Sequence, residues 1–63
     1  MPEWELWACA NEMIRQHRDD AKIVAGQRAD ELLMKGDIEG ASTWQAIIRR
    51  IEQLTRAPGA SLQ

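Results

Sequence analysis

The chain has no Phe and no Tyr, and its aromatic surface rests on Trp4, Trp7 and Trp44. With no phenol, one His (His17) and only Ser42 and Ser61 as serine hydroxyls, the sequence offers no acid–nucleophile–base set. Catalysis is not expected. The single cysteine, Cys9, excludes an internal disulfide, so no covalent staple supports the fold and nothing points to an oxidising compartment. The longest apolar run, from Leu6 to Ala10, is five residues, against the roughly 20 that a membrane-spanning helix needs. Glu3 and Glu5 also stand where a secretory signal carries positive charge. Neither export nor a membrane span is expected, and the sequence reads as cytoplasmic. Excess positive charge is missing too: 8 Lys and Arg face 10 Asp and Glu, for a net charge of -2. Nucleic acid, which needs a basic footprint, is a poor partner on that count.

What remains is a globular composition, 44% hydrophobic and 29% charged over 63 residues, enough for one small domain that folds. Apolar residues recur at helical spacing in three segments. The first runs from about Pro2 to His17 or Arg18, with Pro2 in the first turn and Glu3 and Glu5 toward the positive end of the helix dipole. Leu6, Trp7, Ala10, Met13, Ile14 and His17 make its apolar stripe. The second runs from Ala21 to about Lys35, with Asp19 or Asp20 as side-chain cap and Gly36 as left-handed C-cap. Ala21, Ala25, Gly26, Ala29, Leu32 and Leu33 share one side of it, small enough for close approach by a neighbour, whereas Ile23 and Met34 point away. Asp37 caps the third, Ile38 to about Arg56, whose apolar face is Gly40, Ala41, Trp44, Ile47, Ile48, Ile51 and Leu54. Gln45, Arg49, Glu52 and Arg56 make its polar face, with Gln45–Arg49 and Glu52–Arg56 as i,i+4 neighbours. Residues 1–56 therefore form one three-helix domain and 57–63 a flexible tail. On these phases Trp44 is the central core residue, packed with Trp7 and resting on Ala25, Ala29 and Leu33.

Residues 29–44, with Ala29, Leu32, the Gly36-Asp37 turn, Ala41 and Trp44, resemble the elbow of a tetratricopeptide repeat. Two such repeats of about 34 residues each do not fit the chain, so the likeness is a shared way of turning a tight hairpin. Nearly the whole chain up to Arg56 resembles a family of short uncharacterised bacterial proteins. The residues that carry the likeness are Trp4-Glu5-Leu6-Trp7-Ala8-Cys9-Ala10-Asn11, Ile14-Arg15-Gln16-His17, Arg28-Ala29-Asp30-Glu31-Leu32-Leu33, Gly36-Asp37, Gly40-Ala41, Trp44 and Ile48-Arg49-Arg50-Ile51. The resemblance implies no activity. Its members commonly place Gly directly after the His, where this chain has Arg18, a departure that removes the usual reason for a left-handed cap there.

Cys9, Met13 and His17 follow at i, i+4 and i+8 and offer a thiolate, a thioether and an imidazole, a set that suits soft metals. Three ligands along two turns span about 12 Å, too far for one ion, and stripe positions favour burial. No metal and no cofactor is expected, and His17 reads as a donor to the last carbonyls of the first helix. The pairs Asp19-Asp20 and Asp30-Glu31 are a cap and a diverging pair, not cation sites. A helix-turn-helix reader is disfavoured because the third helix starts with Asp37 and Glu39, which would face phosphates with negative charge.

The expected architecture is all-α: helices 2 and 3 form an antiparallel hairpin, helix 1 packs across them, and dimerisation completes the core. Trp4, Ile23, Val24 and Met34 make an apolar surface too large for three short helices to cover, so they mark the interaction surface. The expected function is a non-enzymatic module for self-association or for binding a partner helix in a groove. A small-ligand or metal-ion binder using Cys9 and His17 is the alternative.

Overall fold

The structure, a computed structural model, describes the backbone of residues 1–61 and the side chains of residues 1–56. Its first helix, α1, is Glu3–His17. Pro2 precedes it in an extended conformation (φ -68°, ψ 160°), and the Pro2 carbonyl accepts from the Glu5 and Leu6 amides at 3.0 and 3.2 Å. Proline at that position loses no hydrogen bond, because the first amides of a helix have no partner within it. A short 3₁₀ turn, Arg18–Asp20, leads into α2, Ala21–Met34. The carboxylates of Asp19 and Asp20 do not cap it: neither the 3₁₀ turn nor α2 has a side-chain cap among the described residues. Backbone replaces the expected side chain, with the Ala21 amide donating to the Arg18 carbonyl.

Arg18 is where that turn is made. Its amide closes α1 on the Ile14 carbonyl while its own φ is 53° and ψ -122°, outside the small left-handed basin that L-residues tolerate. Such a conformation costs a non-glycine residue about 1–3 kcal/mol. Arg18→Gly is therefore expected to stabilise the domain by about 1 kcal/mol after the extra chain entropy of glycine is subtracted. That corresponds to a rise of about 4–8 °C in Tm, read by thermal circular dichroism; a fall in Tm would show that the arginine side chain outweighs the strain.

The α2–α3 connection is fully determined by backbone hydrogen bonds. Gly36 takes φ 85°, the Gly36 amide donates to the Leu33 carbonyl at 3.0 Å and the Asp37 amide to the Leu32 carbonyl at 2.8 Å. These are the two bonds of a Schellman motif, which needs a residue without a Cβ at the left-handed position. Asp37 then caps α3, Ile38–Ser61, its Oδ1 accepting from the Gly40 amide at 2.9 Å. A Cβ on Gly40 would lie 2.5 Å from Asp37 Oδ2, so this glycine makes room for the cap and not for a neighbouring helix. Gly26 is no close-approach point either, since a Cβ there would meet nothing within 4 Å. Helix α3 runs five residues beyond the expected end at Arg56. The tail expected at 57–63 lies outside the described side chains and, at 62 and 63, outside the described residues altogether.

The fold is all-α, with α2 and α3 paired along their length as the most extensive interface and α1 packed mainly on α3. Lys22 meets Glu52 and Arg28 meets Trp44, so sequence numbers rise on one helix as they fall on the other, and the hairpin is antiparallel. Buried side chains are Ala10 and Met13 from α1, Ala21, Ala25 and Ala29 from α2, and Ala41, Ile47 and Ile51 from α3. The expected phases of all three helices hold at these positions. Trp44 does not occupy the centre: it is half-buried at the edge of the cluster, and the largest fully buried side chains are Ile47 and Ile51. Leu33 is 48% exposed instead of supporting Trp44. Val24 is half-buried against the core and so does not lie on the outward surface with Ile23. No helix among the described residues is long and apolar enough to cross a membrane.

Candidate functional site

Two arginines, each lying over an indole, organise the surface where α1 meets the hairpin. Arg50 lies i+3 from Ile47 and i-4 from Leu54, so its stem follows the apolar face of α3 and only 20% of its side chain is exposed. Its guanidinium carbon stands 5.0 Å from the Trp7 ring centroid, and Nη2 reaches Glu3 Oε2 at 3.3 Å. The contact ties the first turn of α1 to α3 by cation–π attraction and an ion pair, and the buried methylenes add packing. Arg28 follows Ala25 by three residues on α2 and lies 5.8 Å over the Trp44 ring. An arginine therefore lies over each of the two indoles. Sequence reasoning missed both arginines because it placed charge on polar faces only, although their spacing from Ile47 and Ala25 put them beside the core.

Trp44 and Arg28 form one wall of a groove of about 260 Å³ whose other wall is α1, with Cys9, Glu12, Met13, Gln16 and His17. The i, i+4, i+8 series of Cys9, Met13 and His17 is therefore gathered along one groove. Met13 is buried, and Cys9 and His17 are half-buried. Among the described residues His17 donates to no carbonyl; the Arg18 amide closes the end of α1 instead. No group of three or more His, Cys, Asp or Glu side chains is assembled among the described residues. The groove's acid is already engaged, since Glu12 accepts from Arg15 Nε at 3.0 Å and Gln16 Nε2 at 2.6 Å. These hydrogen bonds, Arg15's first and Gln16's second, hold the Glu12 carboxyl below the usual carboxylate range, and the pairing raises Arg15. A carboxyl with a lowered folded-state pKa gives stability that is present at neutral pH and lost as the pH falls through that pKa; on an exposed pair the contribution is small. A second hollow of about 240 Å³ lies between Arg18, Asp19, Lys22, Ile51 and Thr55.

The expected interaction residues fall at separate places. Trp4 is 69% exposed on α1 and Ile23 61% exposed on α2. Met34, 88% exposed, ends α2 beside Leu33, and Ile38, 62% exposed, begins α3 just across the turn. Leu33 was read with the packed side of α2, and Ile38 lies off the apolar face of α3; neither is covered by α1, which is 15 residues long against 24 for α3. At 1.5 Å per residue α1 falls short of α3 by about 14 Å, and it lies across the hairpin, leaving the turn end uncovered.

No curated protein and no solved structure matches the chain. Residues 3–58 match the family described as "Family of unknown function (DUF6961)". The span covers all three helices up to Pro58, and on that match the chain belongs to the DUF6961 family.

Proposed function

We propose that the chain is a non-enzymatic helical interaction module, acting in the cytoplasm by self-association or by receiving a helix of a protein partner. The exposure of Trp4, Ile23, Met34 and Ile38 at 61–88% carries this reading. Among the described residues, five of the eight that are buried in the core are alanines, so the lone chain buries little apolar area and gains from covering more. Tryptophan on a surface is also the residue type most enriched in binding hot spots. Sedimentation equilibrium at micromolar concentration is expected to give at least twice the monomer mass, and Trp4→Ser is expected to shift it toward the monomer without loss of helix content. A monomer that melts cooperatively would overturn self-association.

A small-ligand or metal-ion binder is the second reading, favoured by the groove that gathers Cys9, Met13 and His17. Under the first reading, titration with zinc or copper(I) leaves Tm unchanged. A bound ion at about 100 times its Kd would add about 2.7 kcal/mol, so a rise of several degrees that vanishes in Cys9→Ala would establish the second reading in its place.

A further inference from the structure

We propose that the turn end of the α2–α3 hairpin binds a basic amphipathic helix of another protein. The inference rests on the interaction-module reading and names the partner for one of its surfaces. Met34 is 88% exposed, Ile38 62% and Leu33 48%, and the Schellman turn between Leu33 and Ile38 holds these three side chains at one end of the hairpin. Around them Asp30, Glu31, Asp37 and Glu39 are exposed, and within residues 30–40 four acids face the single base Lys35, a net charge of 4 - 1 = 3 negative. None of these five side chains takes part in an ion pair among the described residues, where the pairs are Glu12–Arg15, Lys22–Glu52 and Glu3–Arg50. The tip thus presents apolar side chains in an acidic rim that makes no ion pair among the described residues, and a helix with apolar anchors flanked by Lys or Arg matches both features.

A second copy of this chain does not. A two-fold dimer through the tip would set like surface against like surface, acidic rim against acidic rim. The other exposed large apolar residues offer no basic rim to match it: Trp4 stands between Glu3 and Glu5, Met1 precedes Glu3 by two positions, and Ile23 has the single base Lys22 beside it with Asp19 and Asp20 one turn before. The basic outer positions of α3, Arg49 and Arg56, have Gln45 and Gln53 beside them and no large apolar side chain to anchor in the tip. Charge complementarity therefore points to a different protein.

The test uses two synthetic amphipathic helices with leucines at the same positions, one otherwise lysine and arginine and the other glutamate, each labelled for fluorescence anisotropy with the full chain. The basic peptide is expected to bind at least about tenfold more tightly, with affinity falling as salt rises. Met34→Ser with Ile38→Ser is expected to abolish that binding, and Glu31→Lys with Glu39→Lys to reverse the preference; Trp4→Ser leaves it unchanged. All five positions are exposed, and circular dichroism confirms that the variants fold. Equal binding of the two peptides, or loss of basic-peptide binding in Trp4→Ser but not in the Met34/Ile38 pair, would overturn the assignment. If the chain self-associates yet shows no preference, this inference fails alone; if it is monomeric and binds neither peptide, the module reading fails with it.

Discussion

Ile47→Ala is expected to remove most of the stability of this domain. Ile47 is 1% exposed in the cluster formed by Ala10, Met13, Ala21, Ala25 and Ile51. Truncating a buried aliphatic side chain of this size costs about 2–5 kcal/mol, with the upper part of the range reached where the surroundings cannot relax into the cavity. Here little can: three of those neighbours are alanines, which have no rotamer with which to reach into the space, and Met13 alone has a side chain flexible enough to lean in. Ile51 is held in place by its own complete burial. At about 0.05–0.15 kcal/mol per residue, a domain of this length has only a few kcal/mol to lose. Urea denaturation followed by circular dichroism is expected to show Ile47→Ala partly unfolded in buffer, with Ile38→Ala, 62% exposed in the parent, within about 1 kcal/mol of the parent. Trp44→Ala falls between the two, because the half-buried indole leaves part of its area in water already. Equal midpoints for Ile47→Ala and Ile38→Ala would mean that the core does not centre on α3.

Much of the fold was legible in the residues, and the reasons are local. Proline at 2, glycine at 36 and aspartate at 37 each have one conformation or hydrogen bond that suits them, and the structure uses all three as their chemistry demands. The apolar phases of the helices follow from the 3.6-residue repeat alone, which is why Met13, Ala25, Ile47 and Ile51 were placed inward correctly. Arg18 was misread: the glycine that the resemblance puts after the His pointed to a positive φ and the arginine in its place argued against one, yet Arg18 takes φ 53°, imposed by the helices on either side of it. Periodicity also says which face is apolar but not how far along it the neighbouring helix extends. That is why Leu33 read as core and stands in the open, and why Val24 read as surface yet packs inside. The same gap concealed Arg50, whose stem shares the buried face of α3 while its guanidinium covers Trp7, and Arg28, which reaches over Trp44 from an exposed position on α2.

Ala25→Leu is expected to be the most damaging enlargement, costing about 3 kcal/mol by overpacking. Ala21, Ala25 and Ala29 follow at i, i+4 and i+8 on α2, each 1% exposed or less, and Ala41, 3% exposed, is buried on α3. Interaxial distance is set by the side chains at the contact, within about 8–10 Å, and a ridge of methyl groups permits the near end of that range. Leucine at the middle position adds three carbons where no space exists. The hairpin cannot slide to make room, because the Leu32–Asp37 and Leu33–Gly36 hydrogen bonds fix it at the turn. It can only splay at the other end, which separates Lys22 from Glu52, 3.1 Å apart in the parent, and draws α2 away from Ile47 and Ile51. A fall in Tm together with loss of the effect of a Glu52→Gln substitution is therefore expected, while Gln27→Leu, on the exposed side of the same helix, leaves Tm within a few degrees. If Ala25→Leu melted with the parent, α2 and α3 would have to be further apart than an alanine ridge requires. The exposed residues at the turn would then have to be explained by something other than a hairpin too thin to bury them.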